Sequence, residues 1–253
     1  MNFNLTQIPD RTKKPRKEGL TMVMDKGLSI PDVENFLSIA DPYVDIVKLG
    51  FGTSVVTPGL KEKLAVYRKN NIPVYFGGTL FEAFVIRNQV EDYIKVLQEY
   101  DVDFVEVSDG SISIPHDEKC RYIKQLSEYV TVLSEVGSKD VTDIMPPYKW
   151  VELMNSELDA GASYVIAEAR ESGTVGIYRD SGEVRQGLVQ EILTQVPGEK
   201  ILWEAPKKEQ QNYFLKLVGC NVNLGNIAPA EVIPLEAMRA GLRSESFHLF
   251  LDQ

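Results

Sequence analysis

The chain has 253 residues, a formal net charge of −10 and a hydrophobic fraction of 43%. This composition is ordinary for one globular domain with a large core, and the acidic balance argues against binding to nucleic acid or to an anionic membrane surface. No apolar run is long enough to cross a bilayer, and the first residues lack the apolar stretch of a signal peptide. Two cysteines, far apart at Cys120 and Cys220, have no metal-binding spacing, so we expect reduced thiols and a cytoplasmic location.

Eight short apolar runs recur along the chain, and amphipathic segments with helical spacing lie between them. The runs cover residues 20–25, 44–50, 73–78, 103–110, 130–137, 163–170, 200–206 and 221–226. The pattern of a strand followed by a helix, repeated eight times, predicts a single α/β domain with the (β/α)8 TIM barrel fold. The alternative is a doubly wound open sheet, but the first turn, "MDKGLS", lacks the glycine pattern of a nucleotide-binding turn.

We expect residues 1–18 to form an N-terminal extension and residues 19–253 to form the barrel catalytic domain. The extension is rich in Lys and Arg, and we expect these residues to form a solvated tail or a contact between subunits. Barrels often associate through their outer helices, so we expect a homo-oligomer. We also expect Trp203 to pack against the outer helix layer and His116 to lie on the surface at the start of a helix.

Polar residues or glycines follow each predicted strand. In a barrel the C-terminal strand ends meet at one rim, which is where barrel enzymes place their active sites. Because successive side chains of a strand point to opposite faces, Glu106, Glu168 and Glu204 would meet near the barrel axis if their faces look inward. Three carboxylates in a partly dry cavity repel one another unless cations are present.

Two arrangements would neutralise these carboxylates. Carboxylate oxygens suit Mg2+, which binds one or two carboxylates together with water and substrate oxygens. The alternative is salt bridging inside the barrel by Lys48 and Arg170, in which Arg170 would be the partner of Glu168 or Glu204.

The lysines at the strand ends, Lys26, Lys48 and Lys139, have several possible roles. A lysine there could form a Schiff base with a carbonyl substrate, donate a proton, or bind an anion. The turns after strands two, three and eight offer backbone donors for a phosphate, although such turns are often only tight turns. We leave open which strand-end loop holds a phosphate.

Several sequence blocks, in order along the chain and each at a strand end, resemble the phosphosulfolactate synthase family of coenzyme M biosynthesis (protein A family). They are "MDKGL", "DIVKLGFGTS", "FGGTLFE", "FVEVSDGS", "VGSKD", "IAEARESG", "WEAPKKEQQ" and "NLGNI", and the resemblance runs from about residue 18 to the end. It implies a TIM-barrel lyase that adds sulfite to C3 of phosphoenolpyruvate in a Mg2+-dependent step. The product would be (2R)-2-O-phospho-3-sulfolactate, formed through a metal-stabilised aci-carboxylate intermediate.

The resemblance, added to the strand-end pattern, implies roles for particular residues. Lys139 would donate the proton to C2, with Glu106 and Glu168 as further catalytic residues. The metal side would comprise Glu106, Glu168 and Glu204 together with Asp25. The residues that would bind substrate and anions are Lys26, Lys48, Arg170, Ser108, Gly78, Thr79 and Asn226.

Two other functions remain open at this point. One is another barrel lyase or aldolase that acts on a small phosphorylated acid through a Schiff-base lysine, and the other is a non-catalytic barrel that binds an anion. The pattern of residues leaves open whether the product feeds coenzyme M or sulfolactate, and which carboxylates bind Mg2+ directly.

Overall fold

Eight parallel strands, each followed by helix, form a barrel in the computed structural model, which describes residues 2–137, 145–170 and 172–251. The strands are β1 (Thr21–Asp25), β2 (Ile46–Leu49), β3 (Val74–Phe76), β4 (Phe104–Val107), β5 (Thr131–Val136), β6 (Tyr164–Ala167), β7 (Ile201–Glu204) and β8 (Leu224–Ile227). Their order in the sheet is β3-β2-β1-β8-β7-β6-β5-β4, and β3 lies beside β4 where the barrel closes. The predicted fold class is confirmed.

Helices cover the outside of the barrel. In the described ranges they are α1 (Ile30–Ala40), α2 (Thr53–Val56), α3 (Leu60–Lys69), α4 (Gly78–Val85), α5 (Val90–Glu99), α6 (His116–Leu126), α7 (Pro147–Asp159), α8 (Gln186–Gln195), α9 (Lys208–Val218) and α10 (Val232–Arg239). Local chemistry sets their starts. In α1, for example, Ser29 and Asp32 form a capping box next to Pro31, which suits the first turn of a helix.

The strands occupy the predicted runs but begin and end differently. The third run was predicted to reach residue 78, but β3 ends at Phe76 because Gly78 starts α4. The eighth run was predicted from residue 221, but β8 starts at Leu224. Just before this strand, the amide oxygen of Asn221 accepts from the Thr12 backbone N–H at 3.1 Å, which holds the segment against the N-terminal residues.

The core has two parts, as expected for a barrel. The larger part lies between the strands and the helices, where the Trp203 ring stacks on Phe214 with 4.8 Å between ring centroids. This confirms that Trp203 packs against the outer layer. The smaller part fills the barrel axis and consists of Leu20, Met22, Ile46, Tyr75, Leu133, Ile166 and Leu202. No helix in the described ranges is both long and apolar enough to cross a membrane.

The N-terminal segment packs against the barrel. Arg11 lies 3.1 Å from Glu236, and Arg16 lies 3.0 Å from Asp45, with both arginine side chains largely buried. The expectation of a solvated tail is therefore wrong for these two residues. His116 is the first residue of α6, as predicted, and it is partly buried.

Candidate active site

A cavity of about 210 Å³ opens at the C-terminal ends of the strands. Each strand, or the turn directly after it, contributes at least one side chain or backbone group to the wall. The lining residues are Met24, Lys48, Phe51, Gly78, Thr79, Glu106, Ser111, Glu135, Glu168, Arg170, Glu204 and Asn226. Barrel closure thus brings together residues that are up to about two hundred positions apart in the sequence.

Three buried glutamates in this cavity could hold a metal ion. One carboxylate oxygen from each of Glu135, Glu168 and Glu204 lies within 4.8 Å of the other two. Burial raises the pKa of Glu204 to about 7; neighbouring Glu135 and Glu106 act in the same direction, while Lys48 opposes them. A compact set of hard carboxylate oxygen donors fits Mg2+.

Glu106 lies in the cavity but has a different environment. Its Oε1 accepts from the Gly78 backbone N–H at 2.7 Å, and its Oε2 lies 2.9 Å from Lys48 Nζ. It therefore caps the start of α4, where a negative charge is stabilising. A side chain at residue 78 would collide with Glu106 and Ser108, which explains the glycine. The Gly78 donor that we expected to meet substrate is thus already used by the protein.

The structure corrects the expected role of Asp25 as a metal ligand. Its carboxylate is fully buried and accepts from the Tyr67 hydroxyl at 2.8 Å and from Lys63 Nζ at 2.6 Å. The backbone N–H groups of Gly27 and Leu28 also donate to it. Because strand side chains alternate, Met24 faces the cavity and Asp25 faces the helices, so Asp25 lies outside the metal group.

Lys48 is the buried cation of the cavity. Its Nζ lies 2.9 Å from Glu106, 3.4 Å from Glu204 and 3.9 Å from Glu135. Burial by itself would lower the pKa of Lys48, but attraction to these carboxylates raises it well above the usual value. Lys48 therefore stays a charged ammonium. Lys48 therefore forms salt bridges inside the barrel, as the alternative arrangement predicted for this residue.

Arg170 lies at the mouth of the cavity in an uncommon backbone conformation. Its φ is +51°, and its backbone N–H donates to Glu168 Oε1 at 2.5 Å. Within the described residues, its guanidinium makes no ion pair with Glu168 or Glu204, so the alternative role of Arg170 as a salt-bridge partner is not found. Its side chain is exposed and can reach an anion at the cavity mouth.

Of the remaining predicted site residues, some line the cavity and others do not. Thr79 and Asn226 line the cavity. Ser108 is buried behind the wall, where its hydroxyl donates to Glu82. Lys26 is exposed just after β1 and does not line the cavity. Lys139 lies outside the described residues.

Sequence reasoning missed Phe51 and Ser111 as wall residues and did not assign Glu135 to the metal side. A signal for Glu135 was present, because Leu133 and Glu135 share one face of β5 and Leu133 lies in the core at the barrel axis. The other two residues follow strand ends in turns, where alternation gives no guide.

Comparison with known proteins places this geometry in context. The model of the family described as (2R)-phospho-3-sulfolactate synthase (ComA) matches residues 9–245. The chain is 41% identical over 244 residues to phosphosulfolactate synthase of Methanothermobacter thermautotrophicus, covering 94% of this chain and 95% of that protein. It is 38% identical over 252 residues to phosphosulfolactate synthase of Bacillus subtilis, covering 98% and 100%.

Solved structures share the fold at low sequence identity. One is 3-hexulose-6-phosphate synthase from Salmonella typhimurium, with a TM-score of 0.54 and 16% identity, covering 91% of this chain and 98% of that one. At this identity the likeness shows the barrel fold alone.

Proposed function

This chain belongs to the (2R)-phospho-3-sulfolactate synthase family, and we propose that it adds sulfite to C3 of phosphoenolpyruvate to give (2R)-2-O-phospho-3-sulfolactate. The single observation that carries the proposal is the buried group of Glu135, Glu168 and Glu204 at the rim of the barrel. The reaction places a second negative charge on a carboxylate, and a site for it needs strong, fixed positive charge.

Glu135, Glu168 and Glu204 are the residues that would hold Mg2+. When bound, Mg2+ supplies an electrophile that offsets the charge developing on the substrate carboxylate. Lys48 keeps its proton throughout, since surrounding carboxylates hold it in the charged form. It therefore stabilises Glu106 and Glu204 and adds a fixed positive charge to the floor of the cavity.

The proposed reaction forms a bond at C3 of phosphoenolpyruvate, moves charge onto its C1 carboxylate and adds a proton at C2. The sulfur lone pair of sulfite forms the C3–S bond, and the C2–C3 π electrons move onto the C1 carboxylate. A proton then adds to C2 from one face, which sets the R configuration. We propose Lys139 as its donor, an assignment that rests on the family resemblance.

Arg170 is our candidate for binding the phosphate of phosphoenolpyruvate. The planar guanidinium donates two parallel hydrogen bonds to phosphate oxygens, and Arg170 sits at the cavity mouth with no ion-pair partner in the described part of the chain. The contact between its backbone and Glu168 keeps this cation close to the metal side of the cavity.

A Schiff-base lyase or aldolase is the second candidate. Lys48 is a poor nucleophile for that chemistry, because an imine forms only from a neutral amine and the pKa of Lys48 is raised. Borohydride trapping with a carbonyl substrate would label a lysine in a Schiff-base enzyme and leave this protein unlabelled if our proposal holds.

The direct test is an assay with phosphoenolpyruvate and sulfite, followed by 31P NMR of the phosphate ester. We expect product in the presence of Mg2+, loss of activity after chelation, and recovery when Mg2+ is restored. Absence of product from the purified, folded protein under all these conditions would refute the proposal.

A further inference from the structure

Strand β8 contains a bulge at the cavity wall. Thr21 of β1 pairs with Leu224, and Val23 pairs with Ile227, so β8 advances three residues while β1 advances two. Leu224 and Ile227 both pack in the core between strands and helices. The extra residue lets Asn226 face the cavity instead of following strict alternation, and bulges near active sites often redirect a side chain in this way.

Asn226 has two costly features. Its backbone lies in the left-handed region with φ of +55°. Its side chain is only 5% exposed, and its Oδ1 has no hydrogen-bond partner among the described residues. A buried amide oxygen without a partner is destabilising, and strained backbone tends to occur at ligand-binding sites. Both features are explained if the amide contacts a ligand.

The two halves of the cavity wall differ in charge. The half built on β4 to β7 carries four carboxylates, which belong to Glu106, Glu135, Glu168 and Glu204. The half built on β8, β1 and the turn after β2 presents Asn226, Met24 and Phe51, and no described carboxylate lines it. The first half holds the carboxylates that would bind Mg2+, so the second half is the part of the wall that offers a neutral amide and apolar contacts to a second anion.

We propose that Asn226 forms the subsite for the sulfite nucleophile, an inference that rests on the proposed function. Rotation about the Cβ–Cγ bond turns the amide NH2 group toward a sulfite oxygen, to which it donates a hydrogen bond. A neutral donor holds the anion without the strong ion pairing that would weaken its nucleophilicity. Met24 and Phe51 exclude water from the sulfur, whose lone pair forms the bond to C3, and Asn226 itself transfers no proton.

Two variants test this subsite. Asn226→Gly deletes the amide and keeps the left-handed backbone, which glycine adopts readily. Asn226→Asp keeps the shape and replaces the donor with a like charge. We expect Asn226→Gly to raise the KM for sulfite by about 10- to 100-fold, the range for loss of one hydrogen bond to a charged group. Asn226→Asp should raise it further, and in both variants the KM for phosphoenolpyruvate and the Mg2+ requirement should change less than about twofold.

Asn88→Gly is the matched control, because Asn88 also has a left-handed backbone, with φ of +54°, and is exposed away from the cavity. This variant should leave the KM for sulfite, the KM for phosphoenolpyruvate and the Mg2+ requirement unchanged. A second readout is the rise in Tm that sulfite alone produces, which Asn226→Gly should abolish and Asn88→Gly should retain.

An unchanged KM for sulfite in Asn226→Gly, or a rise confined to phosphoenolpyruvate or Mg2+, would overturn the inference. The proposed function fails separately, if the unmodified chain makes no product. In that case the sulfite-dependent Tm still decides whether Asn226 binds the anion.

Discussion

At the scale of single residues, four glutamates line the same cavity, but their hydrogen-bond and ion-pair partners give them different chemistry. Glu106 is held by a backbone N–H and by Lys48. Glu135, Glu168 and Glu204 lie close enough to share one cation. Residue type alone does not distinguish them. The direction of each carboxylate does, and this separation leads to a test of which glutamates would hold Mg2+ under the proposed function.

We predict that Glu135→Gln raises the Mg2+ concentration for half-maximal activity by at least about 10-fold, since loss of a ligand weakens a metal site at least as much as loss of an outer contact. Glu106→Gln is the matched control. Its amide oxygen can still accept from Gly78, so the Mg2+ requirement should change little. Mn2+ binding followed by electron paramagnetic resonance measures the same difference without turnover. Equal shifts in both variants would contradict the assignment.

Lys139 is the second residue with a predicted role. Lys139→Ala should lower kcat by about 10²- to 10⁴-fold, the usual contribution of a general acid, while circular dichroism and Tm remain those of the unmodified protein. Near-normal turnover in this variant would remove Lys139 from the mechanism.

At the scale of elements, the segment after β6 closes back on the strand end that carries Glu168. Ile177 donates its backbone N–H to the Glu168 carbonyl at 3.1 Å. Gly176, just before it, has a φ of +63°, and a Cβ at this position would overlap the same carbonyl oxygen. Only glycine allows this close approach, so the position of Glu168 depends on a residue that does not itself line the cavity.

We predict that Gly176→Ala destabilises the protein by about 1–3 kcal/mol, as expected for strain at a special backbone position, and weakens Mg2+ activation by displacing Glu168. Gly187→Ala is the control, because Gly187 lies in α8 and a Cβ there meets no atom within 4 Å. It should be neutral or stabilising by up to about 1 kcal/mol. Urea unfolding and Mg2+ titration measure both effects, and similar behaviour of the two variants would argue against the clash.

At the scale of the whole molecule, the end of the barrel opposite the cavity is closed by Arg239. This fully buried side chain donates to the carbonyls of Cys220 at 2.5 Å, Val222 at 2.8 Å and Leu20 at 3.3 Å. Burial lowers its pKa to about 9. It therefore joins the segments that lead into β1 and β8, so stability and chemistry reside at opposite ends of the barrel.

We predict that Arg239→Met lowers the free energy of unfolding by about 3 kcal/mol or more, because it leaves buried carbonyls without donors. The folded fraction should keep its kcat and KM values, since the cavity lies at the other rim. Arg121→Met removes an exposed arginine and should change stability by less than about 0.5 kcal/mol. A large loss of kcat per folded molecule in Arg239→Met would show that the two ends are coupled.

The amino-acid pattern alone determined the eight strand–helix units, the gathering of charged strand ends at one rim, and the resemblance to the family, because all three depend on local composition and order. It did not determine which side chains enter the cavity. The run "LTMVMD" is apolar on both faces, so alternation could not show that Met24 faces inward and Asp25 outward. In β8 a bulge breaks the alternation and turns Asn226 inward. The grouping of Glu135 with Glu168 and Glu204 was likewise decided only by the tertiary structure. Alternation with a period of two relates residues within one strand. Which strand ends meet at the same height depends on barrel closure and on the stagger between strands.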